Sequence, residues 1–331
     1  MKNRVLLSFM SLIAMTLGCD RATETTVVKA GKWDIVRNAD STKYYYGIYF
    51  ADQLNGWVVG DSGRMLHTSN AGDSWEIQSS GTTVSLRCVQ FIGEQTGWAA
   101  GTNAIGMTKD GGRSWNWQYL PGDPRRGFLS LYFASHTAGW IGDNLGGILH
   151  TEDGGMTWTP EVSGTTWAIT SMQFLDTQEG WATAIRAIVL HTTDGGNNWT
   201  TKILDTLNCG NAGDYNDIFF TNHSKGWIAT NNLFSNTAYP VVSPIVHTSD
   251  AGKTWICQPM QSPATLSLQF VNESLGWAAG WDGILYTCNG GQTWINQLED
   301  SSGRFVDLCF VDQSNGWAVT FTGSIYRYQV Q

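Results

Sequence analysis

Proline and charge are both scarce in this chain of 331 residues, which has 7 prolines and only 14% charged residues. The cysteines show no CxxC spacing, so a clustered zinc site is not expected. No apolar run approaches the ~20 residues of a membrane-spanning helix, and helix-length periodic segments are absent. The net charge of −9 argues against a general nucleic-acid binder. These absences exclude a collagen, a coiled coil and a multi-span membrane protein.

Glycine and tryptophan are abundant instead, with 38 and 17 residues, and 42% of the chain is apolar. This composition is globular, and so much glycine with so little proline indicates tight turns between many short strands. The sequence has no P-loop, no dinucleotide glycine fingerprint and no HExxH, so neither a cofactor nor a metal is expected.

The first eighteen residues have the pattern of a secretory signal peptide. Lys2 and Arg4 precede an apolar run over residues 5–17, which is too short for a permanent anchor. Without residues 1–18 the chain keeps 17 basic against 28 acidic residues, a balance of −11.

The apolar run ends at Leu17-Gly18-Cys19, which resembles a bacterial lipoprotein lipobox, although Thr16 stands where that motif usually has leucine. The resemblance implies that Cys19 is lipidated; ordinary cleavage without lipid is the alternative. We predict a polar tether over residues 19–31. The protein is then expected to be exported and membrane-anchored, on the periplasmic or cell-surface side.

A repeated unit occupies the rest of the chain. Gly-Trp recurs at intervals of 40 to 50 residues, and a Phe lies seven residues before each of its tryptophans. The tryptophans are Trp57, Trp98, Trp140, Trp181, Trp227, Trp277 and Trp317. The matching phenylalanines are Phe50, Phe91, Phe133, Phe174, Phe220, Phe270 and Phe310.

A turn motif of the form TxDGGxxW follows each of the first six Gly-Trp pairs. The seventh pair lacks one, but Trp33, near the other end of the chain, has the same following sequence as a motif tryptophan. Three apolar segments and the strand after the motif make four short strands per ~40 residues, which is typical of a propeller blade. We therefore predict an all-β, seven-bladed β-propeller over residues 32–331, its ring closed by an N-terminal outer strand.

The turn motif resembles the Asp-box, or BNR repeat, of sialidases and other propellers. Its Asp can accept backbone N–H groups across the turn, and its Trp can cover the turn and pack toward the next blade. Asn70 and Asn289 replace Asp in two boxes, which favours a structural role over a catalytic one. The residues assigned this role are Asp110, Asp153, Asp194, Asp250, Trp75, Trp115, Trp158, Trp199, Trp255 and Trp294.

One face of the predicted propeller collects arginine and aromatic residues. It holds the loops that enter inner strands and those between second and third strands. Arginine suits carboxylate or phosphate recognition, and aromatic residues with arginine are typical of binding hot spots. The alternative is that this face is a mixed, solvated charge surface with no binding role. The candidate partner-binding residues are Arg64, Arg87, Arg125, Arg126, Arg186, Arg304, Tyr44, Tyr45, Trp167 and Trp281.

The whole unit, GWxxGxxGxhhhTxDGGxxW, resembles that of the photosystem II stability/assembly factor family, best over residues 56–75 and 276–294. This resemblance implies a seven-bladed propeller that is not an enzyme. It also implies a lumenal or periplasmic role in the assembly of a membrane complex through an Arg patch. The expected partner is a protein or peptide, such as an immature membrane protein, and the chain itself is expected to be a monomer.

A glycan-binding protein or a glycoside hydrolase of the Asp-box type is the alternative. A glycosidase needs two carboxylates at a defined separation. Several carboxylates lie in the loops of the predicted face, but the sequence does not show which of them pair.

Overall fold

The computed structural model describes residues 31–40, 42–123, 125–204, 213–231, 244–258, 264–300 and 303–330. The predicted signal peptide, Cys19 and the tether up to residue 30 lie outside these ranges. A compact unit begins at Gly31 and extends to the end of the chain. Within the described ranges, no helix has the length and apolar character needed to cross a membrane.

Blades 1 to 3 are sheets of four consecutive antiparallel strands. Blade 1 contains β2 (Tyr45–Phe50), β3 (Gly56–Gly60), β4 (Arg64–Thr68) and β5 (Glu76–Ser79), with a single 3-10 turn at Asp61–Gly63. Blade 2 contains β6 (Leu86–Ile92), β7 (Thr96–Gly101), β8 (Ala104–Thr108) and β9 (Asn116–Tyr119). Blade 3 contains β10 (Phe128–Phe133), β11 (Gly139–Asp143), β12 (Ile148–Thr151) and β13 (Thr159–Glu161).

Blades 4 to 6 have the same order from the inner to the outer strand. Blade 4 contains β14 (Ile169–Phe174), β15 (Gly180–Ala184), β16 (Ile188–Thr192) and β17 (Thr200–Ile203). Blade 5 contains β18 (Asp214–Phe220), β19 (Gly226–Asn231), β20 (Ile245–Thr248) and β21 (Ile256–Gln258). Blade 6 contains β22 (Thr265–Phe270), β23 (Gly276–Gly280), β24 (Gly283–Thr287) and β25 (Ile295–Glu299).

Blade 7 joins the two ends of the propeller. Its first three strands are β26 (Phe305–Asp312), β27 (Asn315–Thr320) and β28 (Ile325–Gln329), and its outermost strand is β1 (Lys32–Arg37). Trp33 lies edge-on to Phe310 at 5.7 Å, as Trp75 does to Phe50 at 5.8 Å. The seven-bladed propeller and its closure by an N-terminal strand are therefore confirmed.

The repeated Phe and Gly-Trp residues hold neighbouring blades together. Each Phe stacks face to face on the Gly-Trp indole of the preceding blade, with ring centroids 3.5 to 4.7 Å apart. The same Phe covers the glycine that pairs with it across its own blade, such as Phe133 over Gly139. A side chain at that glycine would collide with the ring, so the chain has glycine there.

We expect Gly139→Ala to lower the free energy of unfolding by about 1–3 kcal/mol, the usual cost of overpacking. The new Cβ would lie 2.4 Å from Phe133 Cε1, in a place where the stacked rings cannot move aside. Chemical denaturation measures the effect. Gly127→Ala is the control, because a Cβ there meets nothing closer than 3.9 Å; equal losses in both variants would contradict the explanation.

The Asp-boxes form nearly identical hydrogen-bonded turns. In the box of blade 2, Thr108 Oγ1 donates to Asp110 Oδ1, and Asp110 accepts both the backbone N–H and the hydroxyl of Ser114. These bonds lower the pKa of Asp110 to about 2. Asn289 makes the same contacts with its amide group, which explains why Asn can replace Asp.

The box tryptophans do not pack toward the next blade as the sequence suggested. Each stands edge-on to the Phe of its own blade, at 5.8 to 6.1 Å. The Gly-Trp indole of the preceding blade already stacks on the face of that Phe, so the box indole meets its edge.

Candidate functional site

Inner strands from all seven blades line a central cavity of about 770 Å³. Each inner strand has a β-bulge one or two residues after its start, seen as a register shift against its neighbour. Bulges re-aim side chains, and all seven bulged residues line the cavity. They are Tyr46, Arg87, Leu129, Thr170, Asn216, Leu266 and Val306.

Arg87 on blade 2 lies over a tyrosine of blade 1. Its guanidinium carbon is 3.8 Å from the ring centroid of Tyr46, a cation–π contact. The Tyr46 hydroxyl donates to Asp61 Oδ1 at 2.7 Å, and Ser85 Oγ donates to the same oxygen. Burial and the bond to Asp61 raise the pKa of Tyr46 to about 12, so the ring is held as a neutral platform.

Arg304 and Trp281 form a second cation–π pair between blades 7 and 6, with the guanidinium carbon 4.1 Å from the ring centroid. Phe321 on blade 7 occupies the loop position that corresponds to Trp281 on blade 6. It stacks on Tyr44 of blade 1 at 4.4 Å. We call Tyr44, Tyr46, Arg87, Trp281, Arg304 and Phe321 the aromatic–arginine mouth; all but Tyr44 line the cavity.

A third pair stands apart on blade 4, where the guanidinium carbon of Arg186 lies 4.5 Å from the Trp167 ring centroid. Trp167 comes just before β14 and Arg186 just after β15. The start of β14 pairs with the end of β15, Ile169 with Ala184, so both residues lie at the same strand ends as the mouth. The pair lines no part of the central cavity.

The guanidinium groups of Arg87, Arg186 and Arg304 have no hydrogen-bond or ion-pair partner within the described part of the chain. Each is fixed by an aromatic ring and keeps its N–H groups available. Such groups bind carboxylates or phosphates, often through two parallel bonds.

The other three candidate arginines are paired with carboxylates. Arg126 lies 3.2 Å from the buried Asp143, the exposed Arg125 bonds Asp123 at 2.6 Å, and Arg64 lies 3.6 Å from Asp40. These arginines are on the predicted edge of the sheets but outside the central cavity.

Tyr45 does not belong to a contact surface, which corrects the interpretation of the Tyr44-Tyr45 pair. Tyr45 is fully buried, with its hydroxyl 3.4 Å from Arg64 Nη1. Tyr44 and Tyr46 instead contact Phe321, with ring centroids 4.4 and 5.8 Å from its own. Sequence reasoning missed Tyr46 and Phe321. The position that Phe321 shares with Trp281 signalled it, whereas the bulge that turns Tyr46 toward the cavity appears only in the structure.

Two carboxyl groups lie deeper in the cavity wall. Asp217 accepts Ser171 Oγ and the backbone N–H of Leu268. Asp307 accepts Ser267 Oγ and, across the closing seam, the backbone N–H of Ile48. Both carboxyls thus bridge neighbouring inner strands.

The free thiols among the described cysteines are Cys88 and Cys309, and burial raises the pKa of both to about 12. Cys257 and Cys288 are disulfide-bonded. In the parts of the chain that are described, no group of three His, Cys, Asp or Glu residues is arranged to hold a metal ion.

The repeats, the boxes and the cavity mouth together define an Asp-box β-propeller of seven blades. The family model described as "Photosynthesis system II assembly factor YCF48" matches residues 25–173 and 164–264. The chain belongs to this family.

Two curated relatives carry the family name. Photosystem II assembly lipoprotein Ycf48 of Synechococcus sp. (strain CC9902) is 24% identical over 186 residues, covering 52% of this chain and 54% of that protein. Photosystem II assembly protein Ycf48 of Synechococcus sp. (strain JA-2-3B'a(2-13)) is 26% identical over 125 residues, covering 36% of each. This chain thus spans about half the length of the first and about a third of the second.

Solved structures show the same fold. "YCF48 bound to D1 peptide" superposes with a TM-score of 0.71 at 21% identity, covering 90% of this chain and 97% of that one. YCF48 from Cyanidioschyzon merolae also gives 0.71, at 18% identity and coverages of 90% and 98%. The GH74 enzyme of Niastella koreensis gives 0.69 at 14% identity, covering 89% of this chain and 53% of that one.

Proposed function

We propose that this protein is a non-catalytic, extracytoplasmic binding scaffold that helps a membrane protein complex, of the photosystem II type, to assemble. It does so by holding a polypeptide segment at the aromatic–arginine mouth. The observation that carries the proposal is the pair of unpartnered guanidinium groups, Arg87 and Arg304, each stacked on an aromatic ring at the rim of the cavity. They supply anion recognition, and the rings supply apolar contact area.

The family and the D1 peptide complex of a structural neighbour support a peptide ligand. Hydrolysis of glycans has less support, because the cavity carboxyls Asp217 and Asp307 bond backbone amides and serine hydroxyls that link the blades. A relative named as a lipoprotein supports attachment through Cys19. Attachment would keep the protein at the membrane in which a partner is inserted.

The test is calorimetric titration of a D1 peptide into the protein. We expect Arg304→Glu to weaken binding at least about tenfold, because a free guanidinium that attracts carboxylates becomes a like charge. Arg87→Glu should act in the same direction.

The matched control is Arg113→Glu. Arg113 is an exposed box residue at the opposite strand ends, so the control has the same charge change far from the mouth. Circular dichroism confirms folding of each variant first. An equal loss of affinity in Arg304→Glu and Arg113→Glu, or no binding by the wild type, would refute the mouth as the peptide site.

A further inference from the structure

A second exposed surface lies between blades 3 and 4, away from the mouth. Leu145, Val162, Trp167 and Ile203 border one open groove of about 620 Å³. Their exposed fractions are 37%, 80%, 40% and 58%, which is high for large apolar side chains. Arg186 lies over Trp167 at its edge. We call these five residues the blade 3–4 surface.

This apolar surface is not a requirement of the repeat. The corresponding groove between blades 1 and 2 is lined by Ile77 and Tyr119 together with serines and with charged and amide side chains, including Lys43, Asp61, Arg64 and Gln78. The two grooves share a Ser-Gly-Thr-Thr loop, at residues 80–83 and 163–166, so their backbones are built alike. Leu145 and Val162 stand where the groove between blades 1 and 2 has Ser62 and Ser79, so these two apolar side chains are particular to blades 3 and 4.

Little negative charge opposes Arg186 at this surface. Glu161 lines the groove, but its side chain is mostly buried and lies 3.5 Å from His150. Asp214 accepts the backbone N–H of Arg186 and leaves the guanidinium group free. Lys202 reaches over blade 5 to the carbonyl of Lys253. The Arg186 guanidinium is thus the cationic group that remains available at this groove, with the Asp214 carboxylate held against its backbone.

We propose that the blade 3–4 surface docks on an anionic lipid bilayer. Tryptophan with protruding aliphatic side chains suits the boundary between headgroups and acyl chains, and a free guanidinium suits an anionic headgroup. The groove is open, and Val162 and Ile203 protrude, as shallow insertion requires. The surface flanks the same strand ends as the mouth, so docking turns the mouth toward the membrane.

The test is co-sedimentation of residues 31–331, checked for folding by circular dichroism, with lipid vesicles. This segment is the compact unit with all seven blades, and it lacks both the apolar N-terminal run and Cys19. Vesicles of phosphatidylcholine with phosphatidylglycerol are compared with pure phosphatidylcholine. We expect the protein to bind the mixed vesicles, and Val162→Asp/Ile203→Asp to lower the partition coefficient at least about tenfold.

Arg186→Ala should lose about fivefold on the mixed vesicles and little on pure phosphatidylcholine, because one basic residue near an anionic surface contributes about 1 kcal/mol. The matched control is Ile35→Asp/Ile77→Asp. These side chains are 52% and 76% exposed and lie on the outer strands of blades 7 and 1. The control should bind like the wild type.

No binding of the wild type to either vesicle overturns the proposal, as does an equal loss in the control. If the wild type does not bind vesicles and Val162→Asp/Ile203→Asp lowers the affinity for the D1 peptide instead, the surface belongs to the peptide interface. A negative result with vesicles does not bear on the proposal that the mouth binds a peptide, because Arg304→Glu is tested with peptide alone.

Discussion

Trp317→Ala is expected to lower the free energy of unfolding by about 3–5 kcal/mol, as large-to-small changes at buried tryptophans do. Trp317 is fully buried at the seam between blades 7 and 1. Its ring stacks on Phe50 at 3.5 Å, and its Nε1 donates to the carbonyl of Ala71 at 2.9 Å. The substitution leaves a cavity at the seam where the propeller closes, and it removes that hydrogen bond.

Equilibrium denaturation followed by far-ultraviolet circular dichroism measures the loss. Trp317→Phe keeps an aromatic ring and removes the N–H donor, so we expect it to cost about 1–2 kcal/mol. Trp117→Ala removes an indole that is only partly buried on an outer strand, and it should cost less than Trp317→Ala. A loss below about 1 kcal/mol for Trp317→Ala would show that the stacked ring does not hold the seam.

Asp307→Asn is expected to change how stability depends on pH. Burial, with a smaller contribution from Asp217, raises the pKa of Asp307 from 3.8 to about 7. The folded protein therefore holds a proton on Asp307 between about pH 4 and pH 7 that the unfolded chain has released. This group stabilises the fold below pH 4, and its contribution is lost as the pH rises toward 7.

Urea midpoints at pH 5 and pH 8 test this expectation. In the wild type, Asp307 should lower the urea midpoint at pH 8 relative to pH 5. The difference in urea midpoint between wild type and Asp307→Asn should therefore shrink or change sign between pH 5 and pH 8. Asp110→Asn is the control, because the pKa of Asp110 is lowered to about 2 and its effect lies below pH 4. Parallel pH curves for wild type and Asp307→Asn would contradict a protonated Asp307.

The composition of the mouth depended on contacts that no local pattern encodes. The sequence placed Arg87, Arg304, Trp281 and Tyr44 near one edge of the sheets, but it could not show which guanidinium groups remain unpartnered. Arg126 is held by Asp143, a partner that is visible only once strands β10 and β11 are paired. The cation–π pairs of the mouth join neighbouring blades, and the stack of Tyr44 on Phe321 exists only in the closed ring.

The sequence by itself determined the number of blades, the closure by the strand around Trp33 and the glycine before each repeated tryptophan. Turns and strand alternation depend on short-range bonding and recur at fixed spacing, so repetition reveals them. Only the tertiary structure decided that Tyr45 is buried while Tyr46 faces the cavity, and that Asp307 bonds Ile48. The bulge turns Tyr46 inward, and ring closure brings residues 259 positions apart into contact.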